Sequence, residues 1–316
     1  MDLIRDDMEI DWDQYDHEPE THNVRSAAEF SEETINAFYP QTEEEIVERP
    51  LWDKCNGKIA FRPGEVSLWA GVNGHGKSMM LSQVTIDLMK QGKKILSCSM
   101  EMLPVRQMQR MSRQAFADDK PTPDFIKRLH AWSDGHLWMY DRHGSVEWKR
   151  LMAVLRYSEE TFGINHFIVD SLMKCVRGEE DYDSQKNFVD ELCAFAQARK
   201  VHVHLVHHVR KGESEHKAPG KFDVRGAGAI TDQVDNVFIV WRNKKIEDDP
   251  EKLATIPGAL LVCEKQRHGE FEGQLGFWFH APSMQYLETP DAHPVRYELK
   301  EIPKQKSNYG YRADIE

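Results

Sequence analysis

The sequence predicts an α/β protein with a mostly parallel central sheet flanked by helices. Two observations lead to this class. From Gly64 onward, short apolar runs alternate with longer segments of helical period, as in chains of strand–helix–strand units. The first apolar run also passes through a glycine-rich turn straight into a helical segment. The chain has 316 residues, 40% of them hydrophobic, so it is long enough to bury one such core.

The chain begins with an acidic leader, residues 1–24, which lacks apolar periodicity and is predicted to be disordered. Residues 1–50 carry 16 Asp or Glu and 3 Lys or Arg, whereas the rest carries 37 and 38. The net charge of −12 therefore does not exclude a nucleic-acid-binding body. The leader is either a solubilising tail or a peptide that docks on a basic partner through the apolar residues Met8, Ile10, Trp12 and Tyr15.

A short amphipathic helix is predicted over residues 26–39, because Ser26 and Glu29 form a capping box and Pro40 ends the segment. It folds back on its own domain or docks on a neighbouring subunit. A charged linker follows at Glu43–Glu48. We therefore expect four parts, which are the leader (1–24), a docking helix with its linker (25–50), the main domain (51–290) and a C-terminal tail (291–316).

The main domain is predicted to alternate strands and helices and to finish in hairpins. The predicted strands are 65–70, 93–99, 136–140, 166–170, 201–207, 235–241, 258–265, 275–280 and 284–287. The predicted helices are 77–90, 104–118, 122–133, 146–161, 186–199 and about 226–233. There is no apolar run of membrane-spanning length, no signal peptide and no C-x-x-C pair among the five cysteines. These absences predict a cytoplasmic protein without a membrane partner.

The glycine turn carries the pattern Gly-x4-Gly-Lys-Ser of a phosphate-binding loop. Glycines allow backbone N–H groups to face a phosphate, the lysine supplies a positive charge, and the serine hydroxyl is a Mg²⁺ ligand. An ordinary glycine turn would not need the strand and helix that flank this one. The predicted nucleotide-binding residues are Gly71, Val72, Asn73, Gly74, His75, Gly76, Lys77 and Ser78.

Two carboxylates follow predicted strands at the edge of the sheet where a nucleotide would bind. Asp170 ends the run Phe-Ile-Val-Asp, where it either reaches the Mg²⁺ held by Ser78 or caps a helix. Glu101 follows the second strand, where it either orients the water that attacks a γ-phosphate or stabilises a helix N-terminus.

Cationic and imidazole side chains form three further candidates. Lys265 and Arg267 leave one face of a late strand, either as cations that reach a neighbouring subunit's site or as a solvated face. Four histidines share the strand at 201–207 and its end; a zinc cluster is one interpretation, and a terminal γ-phosphate contact with structural partners is the other. The long loop at 209–225 is basic and suits a sugar-phosphate chain.

Six motifs in this order and spacing resemble the motor domain of ring-shaped replicative DNA helicases, the DnaB/Twinkle group that includes phage primase-helicases. The resemblance covers roughly residues 26–290. It implies a RecA-like P-loop NTPase core with C-terminal hairpins and a short N-terminal linker helix, in a chain without a primase domain. The motifs are Gly-Val-Asn-Gly-His-Gly-Lys-Ser, Met-Glu-Met, Phe-Ile-Val-Asp-Ser, His-His-Val-Arg, Asp-Val-Arg-Gly-Ala-Gly-Ala-Ile and Glu-Lys-Gln-Arg-His-Gly.

The resemblance also implies site residues. Glu101 matches the catalytic carboxylate, Asp170 the metal-side aspartate, and His208, rather than His207, the γ-phosphate sensor. Lys265 and Arg267 match the pair that acts from the adjacent protomer. Arg242 and the region of Phe279 and His280 match positions near the nucleotide base. The DNA-contacting residues expected in the channel loop are Arg210, Lys211, Lys217, Lys221, Arg225, Gly226 and Gly228.

We therefore expect an ATP-dependent replicative DNA helicase of phage type that uses ATP or another NTP with Mg²⁺. It would translocate on single-stranded DNA and unwind forked duplex as a hexameric ring joined by the helix at 26–39. A separate primase or replisome protein would be its partner, with the acidic leader as one place for it to dock. The rival functions are a RecA-like recombinase and an ATP-gated DNA-binding scaffold or loader.

Overall fold

The structure is a computed structural model that describes residues 3–4, 31–39, 48–176, 178, 181–209, 218–224 and 227–299. The strands are β1 Leu3–Ile4, β2 Val66–Ala70, β3 Ile95–Ser99, β4 Leu137–Tyr140, β5 His166–Asp170, β6 His202–Val206, β7 Asn236–Arg242, β8 Ala259–Gln266, β9 Gly273–His280 and β10 Gln285–Leu287. The helices are α1 Ser31–Phe38, α2 Lys77–Lys90, α3 Pro104–Phe116, α4 Pro123–Ser133, α5 Trp148–Phe162, α6 Tyr182–Arg199, α7 Ala227–Gln233 and α8 Pro250–Leu253.

The described strands form one sheet in the order β1-β4-β3-β5-β6-β2-β7-β8-β9-β10. Neighbours from β1 to β7 run parallel, and β8, β9 and β10 continue the sheet as antiparallel neighbours. The prediction of a mostly parallel sheet with C-terminal hairpins is therefore confirmed.

Both faces of the parallel strands are covered, as their continuously apolar sequences require. Successive residues of a strand point to opposite faces. In β2, Leu68 accordingly packs in a cluster with α5 and α6, whereas Trp69 packs in a second cluster with α2, α3 and α4. The sheet thus lies between two helical layers.

Helix ends deviate from the predictions where a cap decides them. Helix α6 begins at Tyr182, four residues before the predicted start, because the Asp181 carboxylate accepts a hydrogen bond from the Ser184 N–H. Helix α3 ends at Phe116 because Ala117 adopts a left-handed conformation with φ +70°. None of the helices in the described ranges is long and apolar enough to cross a membrane.

The predicted leader, linker and tail are described only in part. Leu3 and Ile4 pair with β4, a strand that the sequence did not predict, and the rest of the leader lies outside the described residues. In α1, Ile35 and the adjoining Tyr39 are exposed, whereas residues 26–30 are not described. Tyr297 of the predicted tail is half-buried and donates a hydrogen bond to Asp87, so it packs on the main domain together with Leu299.

Candidate nucleotide-binding site

The phosphate loop joins β2 to α2 at the carboxyl edge of the parallel strands. Glycine is required at two of its positions by close packing. A Cβ at Gly71 would overlap the carbonyl oxygen of Val240, and one at Gly76 would overlap the hydroxyl of Tyr286. Gly76 also has a left-handed φ of +93°. The loop is therefore held by β7 and β10 as well as by its own turns.

Lys77 lies folded over this loop. Its Nζ donates hydrogen bonds to the carbonyl oxygens of Gly71, at 2.9 Å, and Val72, at 3.2 Å. Burial lowers the pKa of Lys77 to about 8, while Asp170 and Glu101 act in the opposite direction. A largely protonated ammonium group is thus positioned between the loop backbone and two carboxylates.

Ser78 and Asp170 approach each other closely, with the Ser78 Oγ donating to Asp170 Oδ2 at 2.5 Å. Asp170 ends β5 and is buried, and this burial raises its pKa against the hydrogen bond from Ser78. Mg²⁺ binds through one or two protein oxygens together with phosphate and water. The Ser78 and Asp170 pair therefore fits Mg²⁺. The described residues contain no cluster of three or more metal-binding side chains, and this kind of site does not require one.

Glu101 lies beside the same edge and contacts residues from two other strands. Ser171, which follows β5, donates its hydroxyl to Glu101 Oε1 at 3.1 Å. His208, two residues beyond β6, places Nε2 at 3.8 Å from the same oxygen. The contact with His208 is the main reason that the pKa of Glu101 falls to about 2, although burial opposes it. His208, not the fully buried His207, is therefore the histidine at the site.

Arg242 is adjacent to the phosphate loop but already has partners. Its backbone N–H donates to His75 Nδ1 at 3.2 Å, which fixes the loop against β7. Its guanidinium group pairs with Glu247 and lies 5.7 Å from the centre of the Phe279 ring. The expected position near a nucleotide base stays a prediction.

Lys265 and Arg267 lie near the amino ends of the parallel strands, whereas the phosphate loop lies at their carboxyl ends. The Nζ of Lys265 donates to the carbonyl oxygens of Thr231, Asp232 and Val234, at the C-terminal end of α7. Arg267 pairs with Asp235 at 2.9 Å and donates to the Gln233 carbonyl. Both cations therefore cap α7, and Arg267 is also exposed to solvent.

The length of β2 gives the distance between this cation pair and the phosphate loop. Asp235, the partner of Arg267, donates its N–H to the carbonyl of Val66, the first residue of β2, whereas the phosphate loop begins after Ala70, the last residue of β2. Five residues of a parallel strand span about 16 Å. Lys265 and Arg267 therefore do not reach the phosphate loop of their own chain.

The expected DNA-contacting residues are described only in part. Lys221 lies in a short turn, where its N–H donates to Glu264 Oε2 at 3.3 Å, and Gly228 is exposed in α7. The other expected residues lie outside the described part of the chain, and they are Arg210, Lys211, Lys217, Arg225 and Gly226.

Sequence reasoning missed three residues at this site. Ser171 follows Asp170 directly, and its position beyond a strand end was an available signal. Arg110 of α3 is largely buried beside Asp170, and burial lowers its pKa. Tyr286 contacts Gly76 from 210 residues away, and no local pattern indicates such a contact.

Three other histidines, His166, His202 and His204, are buried and hydrogen-bonded. His202 Nδ1 donates to the Arg62 carbonyl at 2.8 Å, and His202 Nε2 lies 2.9 Å from the Ser67 hydroxyl. Trp69 donates to His204 Nδ1 at 3.2 Å, which leaves His204 Nε2 to donate to His166 Nδ1, also at 3.2 Å. Their nitrogens bind protein groups, so the structural interpretation describes them better than a zinc cluster.

Replacing His202 by glutamine is expected to change the pH dependence of stability. Burial lowers the pKa of His202 to about 4, whereas a histidine in the unfolded chain titrates near 6.5. Between these pH values the unfolded state binds the extra proton, so wild-type stability falls as the pH falls. The His202 contribution to this loss is about 3 kcal/mol over the whole window.

Denaturant unfolding of the wild type and of His202→Gln at several pH values measures this contribution. Asp87, whose pKa is raised to about 6 by burial, titrates in both proteins and cancels in the difference. Equal pH slopes for the two proteins would contradict the prediction.

The fold and this site define a nucleotide-binding protein with the RecA-like arrangement of P-loop ATPases. The AAA domain family matches residues 48–214, more than half of the chain, and the chain belongs to that family.

The similar proteins include a phage protein and two solved structures. A DNA helicase/primase of Enterobacteria phage T3 is 25% identical over an alignment of 275 residues, and the match covers 78% of this chain and 46% of that protein. The ATPase domain of G40P superposes with a TM-score of 0.72 at 12% identity, over 84% of this chain and 99% of that one. A DnaB-like replicative helicase, solved in a study of its interactions with primase, superposes with a TM-score of 0.68 at 13% identity, over 84% of this chain and 67% of that one.

These matches confirm the predicted resemblance to replicative helicase motor domains. The chain spans less than half the length of the phage relative.

Proposed function

We propose that this chain is the motor of a phage-type replicative DNA helicase, which hydrolyses ATP, translocates on single-stranded DNA and unwinds forked duplex as a hexameric ring in the host cytoplasm. The separation of the phosphate loop from Lys265 and Arg267 carries this proposal, because only a second copy could bring these cations to the nucleotide. The similarity to a phage DNA helicase/primase supports the choice of DNA as the substrate.

In this proposal the triphosphate lies on the loop at 71–78. The backbone N–H groups and the N-terminal end of α2 bind the phosphates, and Lys77 exchanges its two carbonyl contacts for phosphate oxygens. Ser78 and Asp170 hold Mg²⁺, which when bound neutralises charge on the β- and γ-phosphates. Arg242 and Phe279 lie on the side of the loop toward β7 and β9, where the base would bind.

Glu101 is proposed to orient the water that attacks the γ-phosphate. The hydroxyl of Ser171 fixes one carboxylate oxygen, and His208 lies beside that oxygen, where it would detect the γ-phosphate. Lys265 and Arg267 of the adjacent copy then stabilise the charge of the transition state from the open side. Each active site is complete only between two subunits.

The same segment connects the nucleotide to the DNA. Val209 follows His208 directly and pairs with Val224 in an isolated β-bridge, which joins the two ends of the basic loop. A shift of His208 on hydrolysis would therefore move the loop that holds the strand. A separate primase is the proposed partner, with the acidic leader as its docking peptide.

The test is ATP hydrolysis with and without single-stranded DNA, together with the particle size by light scattering. We expect hydrolysis to be stimulated by the strand and to occur in a ring-sized particle. Full hydrolysis by a monomer would contradict the shared site. A rate indifferent to the strand would favour the scaffold or loader, and strand exchange without fork unwinding would favour the recombinase.

A further inference from the structure

Phe222 is 82% exposed, more than any other large apolar side chain in the described ranges. Single exposed apolar residues are common on protein surfaces and need no explanation by themselves. Phe222 differs because of the turn that holds it, the charge beside it, and its position between the nucleotide site and α7.

The turn that carries Phe222 is closed by its own hydrogen bonds and is anchored to the main domain through Val224. Gly220 and Asp223 bond each other twice, through the Gly220 N–H to the Asp223 carboxylate at 2.8 Å and the Asp223 N–H to the Gly220 carbonyl at 3.0 Å. Val224 is fully buried and pairs with Val209. The ring is therefore displayed on an ordered backbone, which lowers the entropy lost when a ligand binds.

A cation lies next to the ring, since the Lys221 Nζ is 5.6 Å from the centre of the Phe222 ring. Proteins that bind single strands combine cations that follow the phosphates with aromatic side chains on which bases stack. Lys221 and Phe222 provide one of each on adjacent residues.

The turn also lies between two nucleotide-dependent groups. On one side, Val224 pairs with Val209, the residue after His208. On the other side the chain enters α7, whose C-terminal carbonyls bind Lys265 and Arg267. A ligand held by Phe222 would therefore be linked to both halves of the ATP site.

We propose that the Phe222 ring stacks on a base of the bound single strand while Lys221 contacts a neighbouring phosphate. The motor thus grips a base as well as the backbone, whereas a basic loop alone would bind the sugar-phosphate chain. This inference rests on the proposed function, because it requires that the strand is bound by this loop.

The experiment compares a thymidine oligonucleotide with an abasic oligonucleotide of equal length, with a non-hydrolysable ATP analogue present. For Phe222→Ala we expect the affinity for thymidine to fall about 5- to 150-fold, the range for loss of one stacked base, and the affinity for the abasic strand to stay unchanged. Phe222→Tyr should retain wild-type binding. Lys221→Ala should weaken binding of both strands and should reduce, by about 0.7, the slope of the logarithm of affinity against the logarithm of salt concentration.

Tyr182→Ala is the matched control, since it removes another exposed aromatic ring, 57% exposed, from the start of α6. If Phe222→Ala bound the thymidine strand with the affinity of the wild type, the stacking inference would be overturned and the proposed function would stand. An equal loss of affinity for both strands would have the same meaning. A smaller particle by light scattering would identify Phe222 as a subunit contact and would also overturn it. If the wild-type protein bound neither strand, the proposed function itself would be rejected.

Discussion

Glu101→Gln is expected to reduce ATP hydrolysis by about 10²- to 10⁴-fold and to abolish unwinding, while ATP binding persists. The amide keeps the size of the side chain and can still accept the Ser171 hydrogen bond, so the site should stay intact. The amide cannot hold the negative charge that orients and activates a water. Glu101 acts on the phosphate loop through its charge near Lys77, and its hydrogen bond goes to Ser171 rather than to the loop, so nucleotide affinity should change little.

Single-turnover hydrolysis and fluorescent-nucleotide binding on the same preparation separate these two effects. Glu251→Gln, at an exposed position of α8, is the matched control and should hydrolyse ATP at the wild-type rate. Unwinding by Glu101→Gln at the wild-type rate would remove Glu101 from the proposed mechanism.

Arg267→Ala is expected to reduce hydrolysis by the assembled protein by about 10³- to 10⁵-fold, the range for loss of an arginine that acts from a neighbour. Its own phosphate loop lies at the other end of the parallel strands, so nucleotide binding to a single chain should be unaffected. Arg128→Ala is the control, because that arginine pairs with Asp124 on the exposed face of α4.

Mixing distinguishes a shared site from a folding defect, which matters because Arg267 also pairs with the nearly buried Asp235. Lys77→Ala lacks the phosphate-binding lysine, and Arg267→Ala lacks the cation supplied to the neighbour. Neither should hydrolyse ATP alone, whereas mixed assemblies contain interfaces with both groups and should recover activity. Two folded variants that recover nothing when mixed would exclude the shared site.

The parts of the fold that the sequence predicted are those set by local pattern. The phosphate loop is continuous in sequence, and Asp170 and Glu101 follow apolar strands, so their common edge could be inferred from parallel topology. The early start of α6 was missed because it depends on one capping carboxylate, that of Asp181.

Contacts between distant segments had no such signal. Tyr286 against Gly76, and Arg267 against the end of α7, join residues from different elements whose approach is set by packing. The histidines of β6 were recognisable as a cluster in the sequence, yet the pattern of their hydrogen bonds depends on Trp69 and Ser67 from the adjacent β2. Only the folded arrangement shows which nitrogen is donor and which is acceptor.

The contact between Glu101 and His208 lowers the basicity of the carboxylate in the nucleotide-free chain. A carboxylate whose pKa is held near 2 accepts protons weakly, since a general base works best when its pKa lies near the ambient pH. In the proposed mechanism the imidazole turns toward the γ-phosphate, so the carboxylate would lose that partner and become more basic. Nucleotide binding would then raise the basicity of the residue proposed to activate the attacking water.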